Sequence, residues 1–181
     1  MRLSTFQERP AHSPTSVSVR SLRSWIPSPS DCASGSAVET AEPLAQSLGL
    51  EIQLRPDLTD TDVGEWEGRS WKTLSHTRLW KVVQQTPSQF QFPGGETFVQ
   101  AQERVARALD DIAKTHGDEL IAVVFHADPI KLVVAHYLGM PLDTFQRLTI
   151  STGSVTILKI DGSTVKLQAL NLIPPFSYPK P

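Results

Sequence analysis

From residue 37 onward, apolar and polar positions alternate with the periods of folded elements. In "AVETAEPLAQSLGL" the spacing puts Val38, Ala41, Leu44, Ala45 and Leu48 on one helical face, with Gly49 as the stop. "EIQL" reads as a short strand, and "RPDLTDTDVGEWEGRS" as a polar, turn-rich loop. Residues 71–85 read as a helix with Trp71, Leu74, Leu79, Trp80 and Val83 inward. Thr97 is placed to cap a helix running from Phe98 to His116, which carries Val105, Ala108, Leu109 and Ile112 inward and Arg104 and Arg107 on its flanks. The apolar run at 119–125 predicts a buried strand, followed by a helix over 129–138 and a short helix over 142–147. Two further strands, at 154–160 and 164–170, flank the hairpin signal "DGS".

Helices alternating with apolar strands predict an α/β domain: a three-layer sandwich with a mainly parallel sheet and helices on both faces. Ligand sites in such sheets gather at the carboxyl ends of strands. His126 stands at one such end, just before a helix N-terminus, where free N–H groups and the helix dipole favour an anion. Ala127 beside it is small enough to let a ligand approach the backbone. The competing bland reading of His126 is a histidine bonded to a carbonyl at a strand end.

Residues 1–36 differ in character. Serine and proline are scattered through them without period, so they read as a disordered or non-native N-terminal segment before a domain at 37–172, and 173–181 reads as a proline-rich tail. A length of 181 residues fits one domain with a real core. The net charge of −2 offers no footprint for nucleic acid, and no apolar run approaches the roughly 20 residues that span a bilayer. Cys32 is the single cysteine, which fits a reducing cytoplasm.

Four segments change the weight given to His126. "VGEWEGRSW", "PGGETFVQAQERV", "VVFHADPIKLVVAHYLGMPLDTFQRL" and "STGSVTIL" follow one another in an order and spacing that resemble the histidine phosphatase superfamily, also called phosphoglycerate-mutase-like. The resemblance covers residues 37–160 and is nearest to a bacterial subgroup of phosphomutases and broad phosphatases. It implies phosphoryl transfer from small phosphorylated metabolites through a phosphohistidine, without metal or other cofactor. His126 matches the family's second histidine, which holds the phosphoryl group, and Ala127 stands where the family usually has glycine. The proton-donating acid falls four residues before the glycine of G-x-W-E-G. That glycine is Gly64 here, so the position is Asp60, with Asp62 the near alternative. Read without the resemblance, Asp57, Asp60 and Asp62 are a solvated acidic loop. Glu96 is expected in a structural or ligand-orienting role, and Arg104 in tying loops together.

The family's nucleophile lies in an Arg-His-Gly at the end of an N-terminal strand, and no Arg-His-Gly occurs in this sequence. His12 is the only histidine near the N-terminus, and Ser36 occupies the place of a second phosphate arginine. The resemblance stops sharply at residue 37, which fits an exchanged or frame-shifted N-terminus better than gradual decay. The expectations are an impaired enzyme or, alternatively, a non-catalytic phosphate-binding or interaction module. Loss of a central strand further predicts marginal stability or homo-oligomerisation.

Overall fold

The computed structural model describes residues 34–117 and 119–175. His12, Cys32 and most of the atypical N-terminal segment therefore lie outside the described residues, as do the last six positions of the proline-rich tail. Helix α1 spans Ser34–Leu48 and ends at Gly49, whose φ of +64° suits a residue without a Cβ. Its expected inward face is only partly covered, since Leu44 is 43% exposed and Leu48 44%.

The helix expected over 71–85 is split into α2, Trp71–Leu74, and α3, Arg78–Gln85. Thr77 makes the break. Its hydroxyl accepts from the Trp80 N–H and restarts the helix as an N-cap. The restart leaves Leu79 exposed, against expectation, while Leu74 and Val83 are buried. Helix α4, Phe98–His116, opens on a full capping box. The Thr97 side chain accepts from Gln100 N–H, and the Gln100 side chain accepts from Thr97 N–H. Helix α5, Ala127–Tyr137, starts directly after His126, two residues earlier than its periodicity predicts. A 3-10 helix at Leu142–Arg147 buries Phe145.

Strands β1, Val155–Asp161, and β2, Thr164–Leu172, form the expected antiparallel hairpin. This hairpin is the one sheet among the described residues, so the architecture is a mixed helix and strand fold. The segments read as strands at 51–54 and 119–125 make no ladder among the described residues. The second still has strand periodicity. Ile121, Val123 and Phe125 pack on the core, whereas Ala122 between them is exposed. A ladder requires a neighbour that exchanges N–H and C=O bonds, and no described segment lies beside this one in that register.

Two apolar clusters hold the fold. One gathers Trp66, Phe90, Phe92, Phe98, Leu132 and Phe145, with rings meeting edge-to-face or tilted: Trp66 to Phe92 at 5.4 Å and Phe98 to Phe145 at 5.1 Å between centroids. The other joins α4 to α5 through Val105, Ala106, Leu109, Ile112 and Val133. Ile121, Val123 and Phe125 pack on the second cluster, while α5 contributes Leu132 and Ala135 to the first and Val133 to the second, so α5 rests on both. No helix among the described residues is long and apolar enough to cross a membrane.

Candidate functional site

His126 caps α5 in an extended conformation, with φ −89° and ψ 166°. Its carbonyl accepts the first helical bond, from Ile130 N–H at 3.2 Å, and its ring turns toward the acidic loop. There Nδ1 lies 3.7 Å from Oδ2 of Asp60. The structure thus brings together two residues 66 positions apart that the sequence singles out. Ala127 is the first residue of α5. Because Pro129 has no N–H, the amides of Ala127 and Asp128 are the donors of the helix's first turn.

The two oxygens of Asp60 have different surroundings. Oδ1 accepts from the Thr61 N–H at 2.8 Å, while Oδ2 faces His126. Burial pushes its carboxyl above the ordinary range, and Asp128 nearby pushes the same way. The Thr61 N–H, His126 and Arg104 pull it down without cancelling the rise. Asp62 is different. It is exposed, and its Oδ1 accepts from Gly64 N–H at 2.9 Å, shaping the turn. Asp57 is held low by the hydrogen bond from Arg55, which grips it through Nε and Nη2.

Glu96 supports the acidic loop. Its Oε1 accepts from Asp62 N–H at 2.9 Å and from Arg104 Nη2 at 2.6 Å. Arg104 reaches up from α4 and donates to the carbonyls of Asp57, Thr59 and Asp60 at 3.1, 3.1 and 3.2 Å. One guanidinium therefore fixes three residues of the loop, the use to which a planar fork of donors is suited.

The two glycine-rich loops are locked backbone to backbone. Glu65 N–H donates to Pro93 C=O at 2.8 Å, and Glu96 N–H donates to Asp62 C=O at 3.0 Å. A Cβ on Gly64 would fall 2.3 Å from Pro93 O, and one on Gly95 would fall 2.4 Å from Asp62 O. Glycine at these two places allows the contact that positions Asp60.

Beside the Asp60 and His126 pair opens a cavity of about 270 Å³. Trp66, Trp80, Phe92 and Phe98 wall it, and Asp60, Thr61, Gln84, Asp128 and Gln146 supply its polar groups. The sequence reading missed Asp128, Thr61 and Gln146. Asp128 had a signal, since it stands three residues before Lys131 on one helical turn, and Lys131 Nζ meets both Asp128 Oδ1 at 3.0 Å and Gln146 Oε1 at 3.3 Å. Thr61 had none. His136 is exposed with its ring against Tyr137, and His116 pairs with Glu119 at 3.1 Å; neither lines the cavity.

The profile of the histidine phosphatase superfamily (branch 1) matches residues 34–173. A bifunctional protein of Mycobacterium tuberculosis is 31% identical over 140 residues, covering 72% of this chain but 37% of that protein, so the chain spans little more than a third of that relative's length. Adenosylcobalamin/alpha-ribazole phosphatase of Escherichia coli is 25% identical over 144 residues, covering 75% of this chain and 68% of the enzyme. Among solved structures, YhfR of Bacillus stearothermophilus superposes with a TM-score of 0.68 at 26% identity, covering 74% of this chain and 68% of that one. The matched span contains the two interlocked glycine loops, the capped α4 and the histidine at the head of α5, and the chain belongs to the histidine phosphatase superfamily.

Proposed function

We propose that the chain is a phosphoryl-transfer protein of the histidine phosphatase type, acting on small phosphomonoesters as phosphatase or mutase. The observation that carries this reading is the 3.7 Å approach of His126 Nδ1 to Asp60 Oδ2 at the N-terminus of α5. A phosphoryl group seated there meets the His126 imidazole, cationic when protonated, and the amides of Ala127 and Asp128, all of which stabilise negative oxygens. Asp60 lies within reach of the leaving oxygen. Its raised carboxyl keeps a proton to higher pH than an exposed aspartate would, as a general acid requires. Arg104 and Glu96 hold Asp60 in place without touching substrate. In the completed fold, 119–125 would lie in a mainly parallel sheet between helical layers, and the reducing setting suggested by a single cysteine is the cytoplasm.

A second reading has its own support. The sequence contains no Arg-His-Gly, the element that supplies the family's nucleophile. On this reading the site binds phosphate and turnover is weak or nil. One pair of measurements separates the two. Calorimetric titration with inorganic phosphate is expected to show binding that His126→Ala weakens about tenfold or more, the loss of one charge-assisted contact. Hydrolysis of p-nitrophenyl phosphate at an ordinary enzymatic rate favours the transferase. Phosphate binding with no hydrolysis favours the binding module. No phosphate binding sinks both.

A further inference from the structure

The cavity beside Asp60 has a chemical character that a phosphate site does not need. Its lining sets the carboxylates of Asp60 and Asp128 and the amides of Gln84 and Gln146 on an aromatic wall in which Trp66 and Trp80 stack with centroids 6.4 Å apart. Among the described residues that line it there is no lysine, arginine or histidine. The cations that face these carboxylates, His126 beside Asp60 and Lys131 beside Asp128, are not part of the lining. Arg104, the other cation near Asp60, is also absent from it and is engaged with loop carbonyls and Glu96. Thr61 adds a second, independent sign of a ligand. It is only 8% exposed, it lines the cavity, and its hydroxyl oxygen has no hydrogen-bond partner. Natural proteins seldom leave such a group unsatisfied, because it has lost water without replacement.

We infer that this cavity receives the alcohol half of the phosphomonoester, and that it selects an apolar alcohol that is uncharged or cationic over one bearing a carboxylate. This rests on the phosphoryl group sitting at His126, as proposed above. A volume of about 270 Å³ admits one ring and a short chain. The tryptophans suit a ring or an ammonium group. Asp128 and Thr61 suit a donor at its end. A carboxylated alcohol would instead bring its charge beside the Asp128 carboxylate, and beside Asp60 whenever that group is ionised, in a cavity about equally polar and apolar whose lining carries no lysine, arginine or histidine.

The test uses the full chain and three probes of one shape: 2-phenylethylamine, 2-phenylethanol and phenylacetate, followed by tryptophan fluorescence. Trp80→Phe assigns the signal to the cavity. The amine and the alcohol are expected to quench saturably, and phenylacetate to bind about tenfold more weakly or worse, from like-charge repulsion. Asp128→Asn should move the amine-to-acetate ratio toward one. Thr61→Val, which keeps the side chain's shape, should weaken the amine and the alcohol while leaving the far-ultraviolet dichroism unchanged. Equal or tighter binding of phenylacetate overturns the inference, and so does the lack of saturable quenching by any probe. Phosphate titration is run alongside. If probe discrimination survives and phosphate fails to bind, only the phosphoryl reading falls. If phosphate binds and the probes do not discriminate, only the cavity's selectivity falls.

Discussion

Arg104 is one side chain on which the acidic loop depends. It pairs with Glu96 and donates to three backbone carbonyls, and the pair is shielded, with 24% and 15% of the two side chains exposed. Arg104→Ala would strand a largely buried carboxylate and three carbonyls together, a loss of about 2–4 kcal/mol in urea denaturation. Arg104→Lys should recover only part of it, because an ammonium cannot replace the forked contacts. Asp60 carries a prediction of opposite sign. Its folded carboxyl is raised, so the neutral form is favoured in the fold. That contribution is full below the unfolded value and is lost as pH rises through the folded one. Asp60→Asn should therefore raise stability at pH 7 and leave it nearly unchanged at pH 3. The gain should stay below about 1 kcal/mol, because the side chain is 43% exposed and solvent screens it. Melting curves at the two pH values check this, and a variant less stable at pH 7 than the parent would contradict the burial account. Asp60 stood out only through the family resemblance, by its offset before Gly64, whereas His126 was visible as a candidate from its place at the end of an apolar run before a helix start. Thr61 and Gln146 were not legible, because they matter only through the cavity that tertiary packing creates.

Elements became legible in proportion to how locally they are determined. Helix α4 carries its own cap, period and glycine stop, and the hairpin of β1 and β2 carries its own turn, so neither needs distant partners to be read. The break between α2 and α3 was missed because Thr77, a weak helix former with a hydroxyl able to cap, outweighed an apolar periodicity that suggested continuity. The interlock of the two glycine loops is likewise non-local, though each glycine is visible in the sequence. It gives a prediction at this scale. Gly64→Ala adds a Cβ against Pro93 O at a φ of +53°, and Gly95→Ala adds one against Asp62 O. Both collide with backbone, which has little room to yield. Each should cost more than about 2 kcal/mol, well beyond the effect of an ordinary surface change. Gly68→Ala, at φ +70° with open space around it, should cost only the conformational part, about 1 kcal/mol. Urea midpoints of the three variants measure the difference. Equal losses at all three would mean that the loops are not locked together.

For the whole molecule, the decisive feature is the number of apolar side chains that stand exposed among the described residues. Ile121, Val123 and Phe125 pack inward, yet Leu120 is 53% exposed and Ala122 is exposed as well. Leu44 and Leu48 of α1, Leu54, and Val155 at the start of β1 are also more than two-fifths exposed. Exposed apolar side chains in such number are a surface that a stable monomer seldom leaves to water. Such a surface has two outlets. The chain associates with itself through exposed leucine, or it remains monomeric with a broad, early unfolding transition. The expected result is sedimentation that shifts with concentration over the micromolar range. Leu120→Lys places a charge on the segment at a position that contributes little packing, so it should move the distribution toward monomer while changing the urea midpoint by less than about 0.5 kcal/mol. A wild-type monomer at all concentrations, unfolding in one sharp transition at high temperature, would mean that the apolar face is covered. The sheet would then be complete, and the inference of a weakened fold would be wrong.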